Sequence, residues 1–284
     1  MKNIILAESA GFCYGVKRAV DITMNIRNKH NKLIYTLGPL IHNIDVVDYL
    51  IDNEIYPIDF NKLDDLKEGD VIIVRSHGIS KDVFTILNEK KLVVEDATCP
   101  YVANIQKKVK KYFDLGYDII IVGDSNHPEV VGINGWCDNK ALVSKDGNNI
   151  KEICNKVCVV SQTTEKQENW EKVINRISEF NKEIIQFNTI CSATDIRRKS
   201  AEKLSKKVDA MIILGGHHSS NTSKLYEVCK NNCPITFHVE NSSEIPDEIL
   251  INPNIVNIGV TAGASTPDWI IKDAIVKMRD AKGV

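Results

Sequence analysis

The chain has 284 residues, enough for two or three small domains, and its 36 basic and 38 acidic side chains leave a net charge of −2. This balance excludes recognition of a nucleic acid or an anionic membrane surface by bulk charge. No apolar run approaches the roughly 18 residues that cross a bilayer, and the first residues lack the apolar core of a signal peptide, so we expect a cytoplasmic protein. Its eight cysteines are then expected to stay reduced.

Along the chain, short runs rich in Val and Ile alternate with segments of helical period, which predicts an α/β protein with mainly parallel sheets. Three features recur in the same order: a cysteine between a strand and a helix, a glycine after the next strand, and a polar loop after a later strand. The cysteines are Cys13, Cys99 and Cys191, the glycines are Gly38, Gly123 and Gly215, and the polar loops include Ser76, Ser161 and Thr261.

This repeat of about 90 residues is too long for a solenoid and predicts three pseudo-equivalent α/β domains. We place them at residues 13–98, 99–190 and 191–284 around a central cleft, and the strand in residues 1–12 could pack on the third domain. Ligands of open α/β sheets gather outside the carboxyl ends of the strands, where all of these loops lie. The pattern leaves open which neighbouring sheet the strand before each cysteine joins.

The three repeated cysteines are candidates for a shared metal site, although a single intracellular thiol is commonly a buried apolar side chain. The other cysteines are assigned to packing, because two thiols four residues apart match no common zinc spacing. They are Cys137, Cys154, Cys158, Cys229 and Cys233. Three thiolates could hold zinc with a histidine as fourth ligand, or an iron–sulfur cluster with one open iron, and the spacing does not choose between them.

The remaining loops carry polar side chains at or near predicted helix starts, where backbone N–H groups and the helix dipole favour an anion such as phosphate or diphosphate. These side chains are His42, His77, His127, Thr163, Ser219, Ser220, Asn221 and Ser265. The loops lack the GK[ST] ending of a P-loop, which disfavours a nucleoside triphosphate. Glu129 is the titratable acid of these motifs and the candidate proton donor, the alternative being a carboxylate that only complements the helix dipole.

Together, the motifs "GFCYGVKRAV", "GPLIHN", "RSHGIS", "EDATCP", "NHPEVVG", "SQTT", "TICSAT", "SSNTSKL" and "GVTAGASTPDWII" resemble the 4-hydroxy-3-methylbut-2-enyl diphosphate reductase (IspH/LytB) family over almost the whole chain. The resemblance implies three α/β domains around a central cleft. It also implies the last step of the non-mevalonate isoprenoid pathway, in which two electrons and two protons remove the allylic hydroxyl of the substrate. The products would be isopentenyl and dimethylallyl diphosphate.

The resemblance further implies a role for each candidate residue. Cys13, Cys99 and Cys191 would hold a [4Fe–4S] cluster whose fourth iron binds the substrate hydroxyl. Thr163 would orient that hydroxyl in a proton relay with Glu129, and a reduced protein of the ferredoxin or flavodoxin type would supply the electrons. The diphosphate would be bound by His42, His77, His127, Ser219, Ser220, Asn221 and Ser265, and catalysis is assigned to Glu129, Thr163 and His127. One departure is the pair His217-His218, where the family often has Lys in the first place.

Two readings from other classes remain open on the residues alone. The first is a zinc phosphohydrolase that uses the same thiolates and phosphate-binding loops. The second is a non-catalytic sugar- or phosphate-binding protein of doubly wound type. Colour after anaerobic purification separates the first from the reductase, because an iron–sulfur protein is brown and a zinc protein is colourless.

Overall fold

A computed structural model of the chain describes residues 2–41, 43–151, 156–180 and 183–280, with the side chain of Ser220 outside this description. The strands described are β1 (Asn3–Leu6), β2 (Ile34–Leu37), β3 (Ile55–Ile58), β4 (Val71–Val74), β5 (Val93–Asp96), β6 (Asp118–Val122), β7 (Leu142–Ser144), β8 (Val157–Ser161), β9 (Ile184–Gln186), β10 (Ala210–Leu214), β11 (Thr236–Val239) and β12 (Asn257–Ala262). The helices are α1 (Tyr14–Lys29), α2 (Ile44–Asp52), α3 (Lys81–Glu89), α4 (Pro100–Asp114), α5 (Pro128–Asn134), α6 (Gln167–Ser178), α7 (Ser192–Ser205), α8 (Ser220–Lys230), α9 (Asp247–Ile251) and α10 (Asp268–Asp280). None of the helices in these residues is long and apolar enough to span a membrane.

Over the described residues, the strands form three four-stranded sheets in which all pairs are parallel. Their orders are β3-β2-β4-β5, β7-β6-β8-β9 and β11-β10-β12-β1. The three orders are equivalent, because each sheet places the strand that follows a cysteine helix in the second position. The predicted α/β class with mainly parallel sheets is confirmed, and the domain boundaries at residues 98 and 190 stay a prediction.

The sheets also show which sheet the strand before each cysteine joins. The strand β5 pairs with β4 and β9 pairs with β8, so each joins the sheet of the repeat in which it lies. The strand β1 pairs with β12, with Asn3 opposite Asn257. Each sheet is therefore completed by the strand that leads into the next cysteine.

The chain divides into two compact units. Unit 1 comprises Met1–Lys17, His42–Val46 and Ser192–Val284, and unit 2 comprises Arg18–Ile41 and Val47–Cys191. Unit 2 holds the sheets centred on β2–β4 and β6–β8, whereas unit 1 holds the sheet centred on β10–β12. Both units are described separately below.

In unit 2 the central strands are apolar on both faces, as expected for a parallel sheet covered by helices. Successive residues of β6 face opposite sides, so Ile119 and Ile121 pack in the core with α4 and α5. Ile120 and Val122 pack in a second core with Trp170 of α6. Each such fully buried aliphatic side chain stabilises the fold by about 1.5–3 kcal/mol.

Unit 1 repeats this arrangement around β10. Ile212 and Leu214 share a core with Ile271 of α10, whereas Met211 and Ile213 share another core with helices α7 and α8. Because both faces of the strand are covered, its carboxyl end is where the loops are free to form a site.

Candidate functional site

Each repeated cysteine lies between the strand that completes one sheet and a helix. In every case its backbone N–H donates a hydrogen bond to a carbonyl of the polar loop that follows the neighbouring strand of that sheet. The bonds are Cys13 N to Ala264 O at 3.1 Å, Cys99 N to Ser76 O at 2.9 Å and Cys191 N to Thr163 O at 2.7 Å. The same contact therefore anchors each cysteine to its own sheet, and it gives the repeated sequence pattern a structural cause.

The thiols fall into two classes by exposure. Cys13, Cys99 and Cys191 are partly exposed, whereas the other described cysteines are buried: Cys137, Cys158, Cys229 and Cys233. Burial raises the pKa of Cys137 to about 11 and the pKa of Cys158 and Cys229 to about 12. These buried groups stay protonated and are poor metal ligands, because the thiolate is the form that binds metals. Cys154 lies outside the described residues.

The described residues contain no group of three or more His, Cys, Asp and Glu side chains that could hold a metal ion. Whether the chain suits a metal group is therefore judged from the kind of ligand atoms that its side chains offer. Three partly exposed thiols in equivalent backbone positions, at Cys13, Cys99 and Cys191, are soft ligands of the kind that iron–sulfur clusters and zinc prefer. Cys99 and Cys191 belong to unit 2, and Cys13 belongs to unit 1.

Glu129 is a buried carboxyl group in the first turn of α5, with only 3% of the residue exposed. The preceding proline occupies a favoured first helical position, and His127 caps the helix by accepting a hydrogen bond from Glu129 N at its Nδ1 atom, at 3.2 Å. Thr163 donates two hydrogen bonds to the carboxylate, from its N–H to Oε1 and from its hydroxyl to Oε2, both at 2.6 Å. The candidate acid is therefore bound to one residue through both of its oxygens.

Two effects oppose each other at Glu129. Burial raises the pKa of this carboxyl, because the charged form loses its hydration, and the two hydrogen bonds from Thr163 lower it. Burial is the larger effect, so the pKa lies above its ordinary value. Such a group holds a proton at a higher pH than a surface glutamate does.

Two of the predicted histidines of unit 2 lie together. The rings of His77 and His127 are 5.7 Å apart between centroids and meet edge to face. Because Nδ1 of His127 accepts a hydrogen bond, a neutral His127 ring carries its proton on Nε2 and can donate from there. His42 lies outside the described residues.

The residues predicted in unit 1 surround the start of α8. Ser219 is the N-cap of this helix and accepts hydrogen bonds from Thr222 at N (3.3 Å) and at Oγ1 (3.0 Å). Gly215 packs closely here, since a Cβ on it would lie 2.8 Å from the hydroxyl oxygens of both Thr222 and Thr266. The loop that contains Ser265 therefore meets the loop before α8. Asn221 lies in the first turn of α8.

The pair His217-His218 departs from the family pattern, and the structure gives His217 acidic neighbours. Its backbone N–H donates to Glu240 at 2.7 Å, and its Nε2 atom lies 3.2 Å from Glu244. This histidine is thus held by carboxylates of its own unit.

A cavity of about 420 Å³ lies in unit 2 beside the loop of residues 75–80. Gly38, Arg75 and Gly78 are among its lining residues. Burial lowers the pKa of Arg75, but a guanidinium starts so high that it remains charged. The sequence pattern did not single out this arginine.

A family model described as LytB protein matches residues 4–279. Among curated proteins, the chain is similar to two proteins named 4-hydroxy-3-methylbut-2-enyl diphosphate reductase. It is 62% identical over 282 residues to that of Clostridium acetobutylicum, which covers 99% of this chain and 44% of that protein. It is 55% identical over 279 residues to that of Clostridium perfringens (strain ATCC 13124), which covers 98% of this chain and 99% of that protein. The chain thus spans less than half of the first relative and nearly all of the second.

Two solved structures have the same fold. One is a structure of (E)-4-hydroxy-3-methyl-but-2-enyl diphosphate reductase, described as the terminal enzyme of the non-mevalonate pathway, with a TM-score of 0.84, 40% identity and coverage of 99% of this chain and 100% of that one. The other is a structure of the E-1-hydroxy-2-methyl-but-2-enyl-4-diphosphate reductase from Plasmodium falciparum, with a TM-score of 0.80, 27% identity and coverage of 97% and 87%.

Proposed function

The chain belongs to the LytB protein family, and we propose on that premise that it is an iron–sulfur reductase acting on (E)-4-hydroxy-3-methylbut-2-enyl diphosphate. The reaction takes up two electrons and two protons, breaks the allylic C–O bond and releases the oxygen as water. A new C–H bond forms at one of two carbons, which gives isopentenyl or dimethylallyl diphosphate. When bound by Cys13, Cys99 and Cys191, a [4Fe–4S] cluster would supply the electrons.

One observation carries this proposal within unit 2. Thr163 donates both its N–H and its hydroxyl to the buried carboxylate of Glu129, and its carbonyl accepts the N–H of Cys191. A candidate proton donor, a hydroxyl group and a candidate metal ligand are therefore joined by three short hydrogen bonds. A reductive removal of a hydroxyl group needs these three groups side by side.

Glu129 supplies the proton in this proposal. Hydroxide is a poor leaving group, so an acid must protonate the departing oxygen, and burial keeps Glu129 protonated at a higher pH than usual. Once protonated, the carboxyl can donate to Oγ1 of Thr163, and the hydroxyl hydrogen of Thr163 is then released to face the substrate. Thr163 thus passes on the proton and orients the hydroxyl.

The diphosphate needs donors, and the predicted set provides them. In unit 2, His127 offers Nε2–H and lies against His77. In unit 1, the start of α8 offers Ser219 and Asn221, where backbone N–H groups also favour an anion. We include His42, Ser220 and Ser265 in the proposed set. The proposed electron donor is a reduced protein of the ferredoxin or flavodoxin type, and the proposed location is the cytoplasm.

The test is a single anaerobic turnover. The reconstituted protein should be brown, with iron and acid-labile sulfide in near-equal amounts, and a chemical reductant should convert the allylic diphosphate to isopentenyl and dimethylallyl diphosphate. A colourless protein that binds zinc and releases phosphate from the same compound would overturn the proposal in favour of a phosphohydrolase.

A further inference from the structure

The loop of residues 75–80 carries His77 and has an open cavity on one side. Arg75, Gly78 and Ser80 line this cavity, so packing does not hold the loop there. The position of His77 must therefore depend on what the loop contacts elsewhere. Among those contacts are hydrogen bonds from α4 and from the turn that follows α5.

One carbonyl of this loop receives two side-chain donors. Gln106 Nε2 donates to Ile79 O at 3.3 Å, and Trp136 Nε1 donates to the same oxygen at 3.0 Å. Gln106 is only 7% exposed and lies in α4, two helical turns after Cys99. Trp136 lies in the 3₁₀ turn Gly135–Cys137, directly after the helix that carries Glu129.

The backbone of the loop is in close contact with Gln106 of α4 and with Gly132 of α5. Gly78 has a φ of +72°, in the left-handed region that favours glycine, and a Cβ there would lie 2.5 Å from Gln106 Nε2. On α5, a Cβ at Gly132 would lie 3.4 Å from the carbonyl oxygen of Gly78. The loop therefore contacts the side chain of Gln106 at Gly78, and it meets the backbone of α5 at Gly132.

A third contact reaches the cysteine loop, since Cys99 N donates to Ser76 O at 2.9 Å. We propose that Gln106 and Trp136 are positioning residues that set His77 for the diphosphate through their shared bond to Ile79 O. This inference rests on the proposed function for its substrate. In this proposal the carbonyl of Ile79 connects three elements: the loop that carries His77, the helix α4 and the turn that follows α5.

Two donors on one carbonyl have a distinctive consequence. A carbonyl has two lone pairs, so removing one donor leaves the part-buried oxygen of Ile79 bonded to the other. Removing both donors leaves this oxygen without a side-chain donor, so the loss of the second bond costs more than the loss of the first. The two substitutions should therefore be more than additive, which is the signature of a shared partner.

The experiment compares Trp136→Phe, Gln106→Met and the double variant, with Trp170→Phe as the matched control. Trp170 is another largely buried tryptophan of unit 2, but it packs in the core beneath β6 and β8. The readouts on the reconstituted protein are the affinity for inorganic diphosphate by calorimetry, the KM and kcat for the allylic diphosphate, and the ¹⁵N-imidazole signals of His77. Each single variant should weaken diphosphate affinity and raise KM by about threefold or less, and the double variant by roughly tenfold or more, with kcat changed much less.

The His77 signals should shift in the double variant and stay in place in Trp170→Phe. Strictly additive effects, or a double variant with unchanged diphosphate affinity and unmoved His77 signals, would overturn the inference. If the wild-type protein neither bound diphosphate nor reduced the substrate, the proposed function would fail. The response of the His77 signals would still decide whether Gln106 and Trp136 position that ring.

Discussion

Replacing Thr163 by valine should destabilise the protein by an amount that depends on pH. The substitution removes the hydroxyl that donates to Glu129 Oε2 at 2.6 Å and keeps the N–H bond to Oε1. A hydrogen bond to a charged group contributes about 1.5–3 kcal/mol, and a neutral one contributes about 0.5–1.5 kcal/mol. The free energy of unfolding should therefore fall by the smaller amount where Glu129 is protonated and by the larger amount where it is ionised.

The sign of the pH dependence follows from linkage. Burial raises the pKa of Glu129 above its ordinary value of 4.5, so the folded protein holds this proton more tightly than the unfolded chain does. Its contribution to stability is present below that ordinary value and is lost as the pH rises through the folded pKa. Without the hydroxyl the folded pKa rises further, which extends the loss to higher pH.

Urea unfolding midpoints, measured anaerobically at a series of pH values from about 4 to 8, test this expectation. Thr36→Val is the matched control, because Thr36 is also buried and its hydroxyl donates to a neutral group, the carbonyl of Gly38, at 2.9 Å. Its destabilisation should not change with pH. If the loss in Thr163→Val were as flat with pH as in the control, Glu129 would not titrate in this range, and the reasoning about its buried proton would be refuted.

Three further outcomes are expected. Glu129→Gln should keep the cluster and bind substrate while losing roughly 100-fold or more in turnover, and near wild-type turnover would assign the proton to water or to the diphosphate. His127→Phe should weaken substrate binding by about 1.5–3 kcal/mol in a titration, since it removes a donor to a charged group, and an unchanged affinity would place the diphosphate elsewhere. Serine at any one of the three partly exposed cysteines should lower the iron content of the reconstituted protein, whereas Cys229→Ser should not, and equal losses would contradict the division of the thiols into two classes.

The central strands of the sheets could be predicted well, because short segments of the sequence show the repeat. Short apolar runs at equal spacing predict equivalent central strands, and β4, β6, β8 and β10 are buried along most or all of their length. The partners of β1, β5 and β9 could not be predicted, because pairing depends on which sheet edge lies nearby in space. A short strand carries no local signal for that choice.

The candidate site also has some residues that local sequence patterns predict and others that depend on contacts in space. Its loops were predictable from cysteines, glycines and polar residues at fixed places, whereas Gln106 and Trp136 belong to no motif because they bind a backbone carbonyl. One signal was available for Gln106. It lies beside Ile105 in the apolar stripe of α4 and is buried there, and a buried amide needs a hydrogen-bond partner.

The pairing of β1 with β12 has a consequence for how the chain matures during synthesis. The first two sheets receive their last strands, β5 and β9, within about 20–30 residues of the strands they pair with, so each sheet can close soon after it leaves the ribosome. The third sheet joins Asn3 to Asn257, 254 residues later. At roughly 5–20 residues per second, Ile4 and Ile5 wait on the order of ten to fifty seconds for their partner strand. Until β12 is made, Ile4 and Ile5 therefore lack the strand with which they pair in the folded sheet.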